Sequence, residues 1–265
     1  MKRNSVNDSL SKVTIAVIAL ILVAFGGLVA YALHHKKEEE SKILDVSNVN
    51  SGVVIEGEER NGFIADHVRG KADSKIVVVE YADYQCPGCA SMAPHLDKIY
   101  EEYKDDVAFV FRNFPLKSHQ NARAASAAAE AAGKQGYFWE MYDSIYSNRN
   151  SWIEQTGDAR TNTFAELFAG VSKGQGDVDQ FRKDLSDENV IKKIDFDYKL
   201  GLEVDKVTAT PSIYINGVAV DVSSVSTFDE VEDLIRKDLD KKIAEQNNEA
   251  TTTTDKEKSE DKTEE

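Results

Sequence analysis

The sequence contains very few cysteines, and their scarcity limits what they can do. Only 2 of the 265 residues are cysteine, and these two, Cys86 and Cys89, lie three positions apart. A disulfide framework that holds a small secreted fold together needs more cysteines, spread along the chain. The pair therefore indicates chemistry at one place, and a disulfide-stapled scaffold is excluded.

The sequence is also short of basic residues. Its 32 lysines and arginines stand against 47 aspartates and glutamates, which gives a formal net charge of -15. Such a surface repels phosphate backbones, so we expect no nucleic acid partner. Residues 246–265 are polar and acidic and contain no side chain more apolar than alanine. They cannot bury enough apolar surface to offset their chain entropy, which predicts a disordered acidic tail.

One uncharged apolar run lies near the N-terminus. Residues 13–33 have the length of about 20 residues that a helix needs to cross a hydrocarbon core. We expect an uncleaved transmembrane signal-anchor here, after a cytoplasmic segment 1–12 and before a polar linker 34–51. A cleavable signal peptide is the alternative, because Ala-Tyr-Ala at 30–32 resembles a cleavage site, although the apolar run is longer than usual for one.

The remaining chain alternates strand and helix patterns. Residues 76–81 (IVVVEY) and 107–114 (VAFVFRNF) are rich in β-branched and aromatic residues, as buried strands are. Residues 118–200 have helical patterns and predict an inserted helical subdomain, in which we interpret the aromatic stripe over 138–146 as core. Residues 212–220 contain two short strand patterns around Asn-Gly, which predicts a hairpin. The expected fold class is α/β with a helical insertion.

Cys86 and Cys89 bracket Pro87 and Gly88 at the start of a predicted helix over 87–103. A helix N-terminus supplies partial positive charge and free N–H donors, which stabilise a thiolate. Cys86, at the exposed start, is therefore the predicted nucleophile. Cys89, one turn further in, is predicted to resolve a mixed disulfide. Pro87 and Gly88 restrict the loop and remove side-chain bulk, so that a partner chain can approach the sulfur.

Two features near the cysteines have alternative interpretations. A Cys-x-x-Cys pair also occurs in zinc sites, but a closed zinc site needs about four ligands and no second pair accompanies this one. We therefore expect no metal, and no cofactor beyond the redox-active Cys86–Cys89 disulfide. Glu80 interrupts an apolar strand six residues before Cys86. It is either a water-facing carboxylate at a strand edge or a buried acid of raised pKa that exchanges protons with Cys89.

Five segments of the sequence resemble, in order, the DsbA-like branch of the thioredoxin superfamily. The segments are VEYADYQCPGC, FRNFPL, NARAASAAAEAA, GYFWEMYDSIY and TPSIYING, and the resemblance covers residues 52–245. It implies a thioredoxin fold interrupted by a helical domain, in which Pro211 is cis and faces Cys86. It also implies that Thr210 presents its backbone to a peptide and that Glu80 is the buried acid of the family.

The function that this resemblance implies is an extracytoplasmic thiol oxidase. Its Cys86–Cys89 disulfide would pass to reduced cysteines of exported proteins, and a quinone-linked membrane partner would reoxidise it. The N-terminal helix would hold it at the cell membrane, with the C-terminal domain outside the cytoplasm. A reductase or isomerase of the same fold is one alternative, because direction depends on the relative stability of thiolate and disulfide. A non-catalytic peptide-binding module with a static disulfide is another.

Overall fold

The computed structural model describes residues 17–18, 20–32 and 44–260. Four stretches lie outside these residues, namely 1–16, 19, 33–43 and 261–265. They contain the predicted cytoplasmic segment, parts of the predicted span and of the predicted linker, and the end of the predicted tail. The described part of the apolar run is helical and its side chains are exposed. No helix within the described ranges is both long enough and apolar enough to cross a membrane.

The second of two compact units, Val46–Glu265, is built on one five-stranded sheet. Its strands are β1 (His67–Gly70), β2 (Val77–Ala82), β3 (Ala108–Asn113), β4 (Ser212–Ile215) and β5 (Val218–Ala219). The spatial order is β1-β3-β2-β4-β5, in which β2 and β3 are parallel and the other neighbours are antiparallel. Every residue of β2 and β3 is buried, as their apolar, β-branched and aromatic content predicted.

Helices cover both faces of this sheet. The α-helices of this unit are α1 (Pro87–Tyr103), α2 (Ala122–Gly133), α3 (Phe138–Ser147), α4 (Arg149–Trp152), α5 (Gly157–Val171), α6 (Val178–Asp184), α7 (Glu188–Glu203) and α8 (Phe228–Glu260). Helices α1 and α8 pack on the face that carries Val78 and Phe109. Tyr198 of α7 packs on the opposite face, beside Val79. The sheet is therefore central, as in the α/β class expected from the sequence.

Helices α2 to α7 lie between β3 and β4, close to the predicted insertion over 118–200. The apolar side chains of α2 to α6 form one buried cluster with Tyr84 and Phe111, and the same cluster contains Cys86 and Cys89. Helix α2 is alanine-rich and buried along most of its length, because small side chains allow close helix packing. The insertion consequently packs directly against the segment that carries the cysteines.

A buried ion network joins the insertion to the sheet. Arg112 of β3 lies 2.7 Å from Asp66, and Lys193 of α7 lies 2.9 Å from Asp66 and 2.8 Å from Asp197. All four side chains are fully buried. Leaving one such charge without its partner is strongly destabilising, so the network holds α7 against β3.

The C-terminal helix is longer than the sequence predicted. A capping box begins it as expected: Thr227 N donates to Glu230 Oε2 at 3.0 Å, and Glu230 N donates to Thr227 Oγ1 at 3.2 Å. Helix α8 then continues to Glu260, so residues 246–260 are helical where a disordered tail was predicted. Once a helix is nucleated, each further residue adds a hydrogen bond at small cost, and polar residues can continue it.

Candidate active site

Cys86 and Cys89 lie at the head of α1, where the sequence placed them. Cys86 is the N-cap residue with extended backbone, and Pro87 is the first residue of the helix. Proline is favoured at this position because its missing N–H would have no partner within the helix. The backbone N–H groups of Gly88 and Cys89 point at the Cys86 sulfur and donate to it. The helix N-terminus thus stabilises negative charge on Cys86.

Cys86 is less exposed than predicted, with 7% of its surface accessible against 0% for Cys89. The cover comes from the loop before β4, because Cys86 Sγ lies 3.4 Å from the carbonyl oxygen of Thr210. The bond between Thr210 and Pro211 is cis, as the resemblance implied. A Cβ atom added to Gly88 would lie 3.4 Å from Pro211 Cδ. Gly88 therefore lets the cysteine loop and the cis-proline loop approach closely without a clash.

The structure gives the two thiols opposite ionisation behaviour. A hydrogen bond from the Cys89 side chain, together with the N–H groups of Gly88 and Cys89, lowers the pKa of Cys86 to about 5. Burial raises the pKa of Cys89 far above its usual range, and the Cys86 sulfur and the Glu80 carboxylate raise it further. At neutral pH the reduced pair is therefore a Cys86 thiolate beside a neutral Cys89 thiol.

Glu80 is buried, with 5% of its surface accessible, so it is not a water-facing carboxylate. Burial raises its pKa to about 7, although the Tyr142 hydroxyl and the charge of Arg69 act in the opposite direction. Glu80 lies close enough to Cys89 for its charge to affect that thiol. A carboxyl that titrates near neutral pH can either give or accept a proton under physiological conditions.

A polar clamp that no sequence motif had predicted holds the residue before Cys86. Asp83 accepts a hydrogen bond from Gln85 N at 2.7 Å, and its other oxygen lies 2.8 Å from His119 Nδ1. The Gln85 carbonyl accepts a hydrogen bond from Arg149 Nη2 of α4 at 2.6 Å. Asp83 has the i to i+2 pattern of an Asx turn, which is a local signal that could have identified its part of the clamp.

One group of potential metal ligands lies away from the cysteines. His95 Nδ1 on α1 is 2.6 Å from a carboxylate oxygen of Glu232 and 3.5 Å from one of Asp229, both on α8. Glu232 also pairs with Lys98 at 3.3 Å and with Arg236 at 2.7 Å. These cations neutralise the carboxylate, so the group is explained as an ion-pair network between α1 and α8. Within the part of the chain that the structure describes, neither cysteine belongs to such a group.

Comparison with known proteins identifies the family. The family model described as thioredoxin matches residues 63–259. The chain belongs to the thioredoxin family. It is 30% identical over 231 residues to the "Probable disulfide bond formation protein D" of Bacillus cereus, and the match covers 84% of this chain and 94% of that protein.

Other relatives match over a shorter region. The chain is 34% identical over 153 residues to the Na(+)/H(+) antiporter NhaA 1 of Salinispora arenicola, which covers 57% of this chain and 22% of the antiporter. This match, like the matches to three further Na(+)/H(+) antiporters, spans less than a quarter of the antiporter's length. Among solved structures, oxidised BdbD from Bacillus subtilis superposes with a TM-score of 0.55 at 24% identity, covering 71% of this chain and 96% of BdbD. This likeness confirms the thioredoxin-like α/β fold.

Proposed function

We propose that this protein is a thiol-disulfide oxidoreductase that works as a thiol oxidase on exported proteins. The observation that carries the proposal is the difference between the two thiols, a Cys86 with a pKa of about 5 beside a buried Cys89. A fold that stabilises the thiolate of the reduced pair favours that reduced form. The disulfide is then a strong oxidant, because its reduction releases free energy.

The proposed reaction consists of two thiol exchanges. A substrate thiolate attacks Cys86 Sγ, the Cys86–Cys89 bond breaks, and the electron pair of that bond goes to Cys89. Burial disfavours the resulting Cys89 thiolate, so protonated Glu80 donates its proton to it. A second substrate thiolate then attacks the substrate sulfur of the mixed disulfide and releases Cys86 as a thiolate. The substrate has lost two electrons and the Cys86–Cys89 pair has gained them.

The cis-proline loop is the proposed contact for the substrate chain. The Thr210 carbonyl and Pro211 lie against Cys86, where an extended peptide can pair with exposed backbone groups. A cavity of about 230 Å³ adjoins this loop. Its lining is largely apolar and includes Met92, Pro211, Ile213, Val222 and Phe228. Apolar side chains of an unfolded, newly exported protein fit such a groove.

The location and the redox partner are part of the same proposal. An oxidase must act outside the reducing cytoplasm, and the apolar run over 13–33 fits a single-pass anchor that leaves the C-terminal domain on the outer side. We propose a quinone-linked membrane protein as the partner that reoxidises Cys86–Cys89. Membrane fractionation of the full chain, with protease added from outside, tests the anchor and its orientation. Release of the protein after cleavage would instead support a signal peptide.

The central experiment incubates the oxidised protein with a reduced protein substrate that contains several cysteines. Formation of substrate disulfides, lost in Cys86→Ala, is the expected result. Undiminished oxidation by Cys86→Ala would refute the proposal. A strongly reducing potential, together with a reduced Cys86–Cys89 pool in cells, would favour a reductase or isomerase. Resistance of Cys86 to mild reductants and alkylation would favour a non-catalytic module.

A further inference from the structure

One hydroxyl group of the helical insertion reaches the buried acid of the site. Tyr142 lies on α3, and its hydroxyl donates a hydrogen bond to Glu80 Oε2 at 3.1 Å. Tyr142 is fully buried. The other carboxyl oxygen, Glu80 Oε1, is buried and has no hydrogen-bond partner among the described residues. The carboxyl group is thus held through one oxygen, and the second remains available to carry a proton.

The remaining charge near Glu80 comes from two further elements. Arg69 of β1 favours the ionised carboxyl, whereas Asp97 of α1 disfavours it. These two residues are joined by a hydrogen bond of 2.8 Å, and the Arg69 guanidinium lies 4.5 Å from the centre of the Trp139 ring. The titratable groups that face Glu80 are Arg69, Asp97, Cys89, Tyr84, Tyr142 and Tyr146.

We propose that Tyr142 is a positioning residue for thiol exchange, which orients Glu80 with Oε1 free and determines the pH range over which Glu80 passes its proton to Cys89. This inference rests on the proposed roles of Glu80 and Cys89. In the transfer, the O–H bond of Glu80 breaks and an S–H bond forms on Cys89, which leaves a carboxylate that the Tyr142 hydroxyl continues to contact. Burial raises the pKa of Tyr142 well above its usual value, so the phenol keeps its own proton throughout.

Tyr142→Phe isolates this contact because it removes the hydroxyl and keeps the ring. The ring packs against Tyr84, Phe111, Trp139 and Tyr146, and phenylalanine preserves these contacts. A donor to a carboxylate stabilises its ionised form, so its loss should raise the pKa of Glu80 by about one to two units. The proton would then be held by Glu80 up to a higher pH.

Tyr146→Phe is the matched control. Tyr146 lies on the same helix one turn later and is also buried. Its hydroxyl has no hydrogen-bond partner in the described part of the chain. The substitution therefore removes the same group from the same aromatic cluster without removing a bond to Glu80. We expect the midpoint pH of the Glu80 titration in Tyr146→Phe to equal that of the parent protein.

The experiment follows the Glu80 carboxyl directly, by infrared spectroscopy of the full chain across pH, with Glu80→Gln to identify its band. The pH profile of the reaction of the oxidised protein with dithiothreitol is recorded in parallel. Tyr142→Phe should shift both midpoints upward, and the shift in rate should vanish when Glu80→Gln is also present. An unmoved Glu80 band, or an equal shift in Tyr146→Phe, would overturn the inference.

A second measurement covers the case in which Tyr142→Phe does not fold. Fluorotyrosine introduced at position 142 makes the phenol a stronger donor and should lower the Glu80 midpoint. An unchanged or raised midpoint would contradict the positioning role. The infrared titration does not require a protein substrate. It therefore separates the failure of this inference from failure of the proposed oxidase, which the activity of Cys86→Ala tests.

Discussion

Replacing Cys89 by alanine should make Cys86 a weaker acid. The largest cause of the lowered pKa of Cys86 is the hydrogen bond from the Cys89 side chain, and alanine removes that donor while leaving the backbone N–H groups in place. A hydrogen bond to a charged group contributes about 1.5–3 kcal/mol, and one pKa unit corresponds to about 1.4 kcal/mol. The pKa of Cys86 should therefore rise by about one to two units.

The fraction of Cys86 that is ionised at neutral pH depends on this pKa. With a pKa of about 5, Cys86 at pH 7 has about 100 thiolates for each thiol. A rise of one to two units reduces this ratio to between about 10 and about 1. An ordinary free cysteine is only a few per cent thiolate at this pH. The helix N-terminus alone should thus keep Cys86 far more ionised than a free thiol.

Ultraviolet absorbance of the thiolate across pH, together with alkylation rates by iodoacetamide, measures the midpoint. Cys89→Ser is the matched control, because a serine hydroxyl can still donate to the Cys86 sulfur. Its midpoint should lie between that of the parent and that of Cys89→Ala. If Cys89→Ala titrates like the parent, the side-chain hydrogen bond is not the cause. If the parent titrates like a free cysteine, the reasoning about the helix N-terminus is refuted.

Three further predictions concern the free energy of unfolding, and urea denaturation measures each of them. Burial raises the pKa of Glu80 from its usual 4.5 to about 7, so the folded state loses stability as pH rises through this window. Glu80→Gln should therefore increase the free energy of unfolding by about 3 kcal/mol at pH 8 and should leave it unchanged at pH 4. Lys193→Met leaves the buried carboxylate of Asp197 without its cation, whereas Asp66 keeps Arg112, and the substitution should lower the free energy of unfolding by about 3–5 kcal/mol. The exposed Arg123→Ala is its control and should cost less than about 1 kcal/mol. Gly201→Ala places a Cβ atom 2.9 Å from the Phe114 ring and should cost about 1–3 kcal/mol.

The segment that carries the cysteines was the most predictable part of the fold. Helix α1 has the predicted bounds, because Pro87 marks its first turn and apolar residues recur at helical spacing after it. The central strands lie within one residue of their predicted positions, since apolar runs of this length suit buried strands. Strand β1, His67–Gly70, was not predicted. It has four residues and no apolar alternation, and its place in the sheet depends on pairing with β3.

The supporting residues of the site could not be predicted from local patterns. The aromatic stripe of α3 was interpreted as core, and its burial confirms that interpretation. The partner of the Tyr142 hydroxyl, however, lies 62 positions away on β2. Arg149 similarly contacts a backbone oxygen 64 positions away, at Gln85. Such contacts depend on how the insertion packs over the sheet, and sequence periodicity reports burial without reporting the partner.

The presence of the charged residue Glu80 inside an apolar strand was a local feature of the sequence that pointed to the site. A charge inside an apolar strand opposes folding, and the raised pKa expresses that cost at neutral pH. The same low-dielectric surroundings raise the pKa of Cys89, so carboxyl and thiol both favour their neutral forms. When a substrate displaces Cys89 as a thiolate, the nearby Glu80 proton can move to it, because Glu80 gives up that proton at a far lower pH than Cys89 does. An apolar residue at position 80 would stabilise the folded state at neutral pH, but it would leave the Cys89 thiolate without a proton donor. The burial of Glu80 therefore causes both the lower stability of the folded state and the proposed proton transfer.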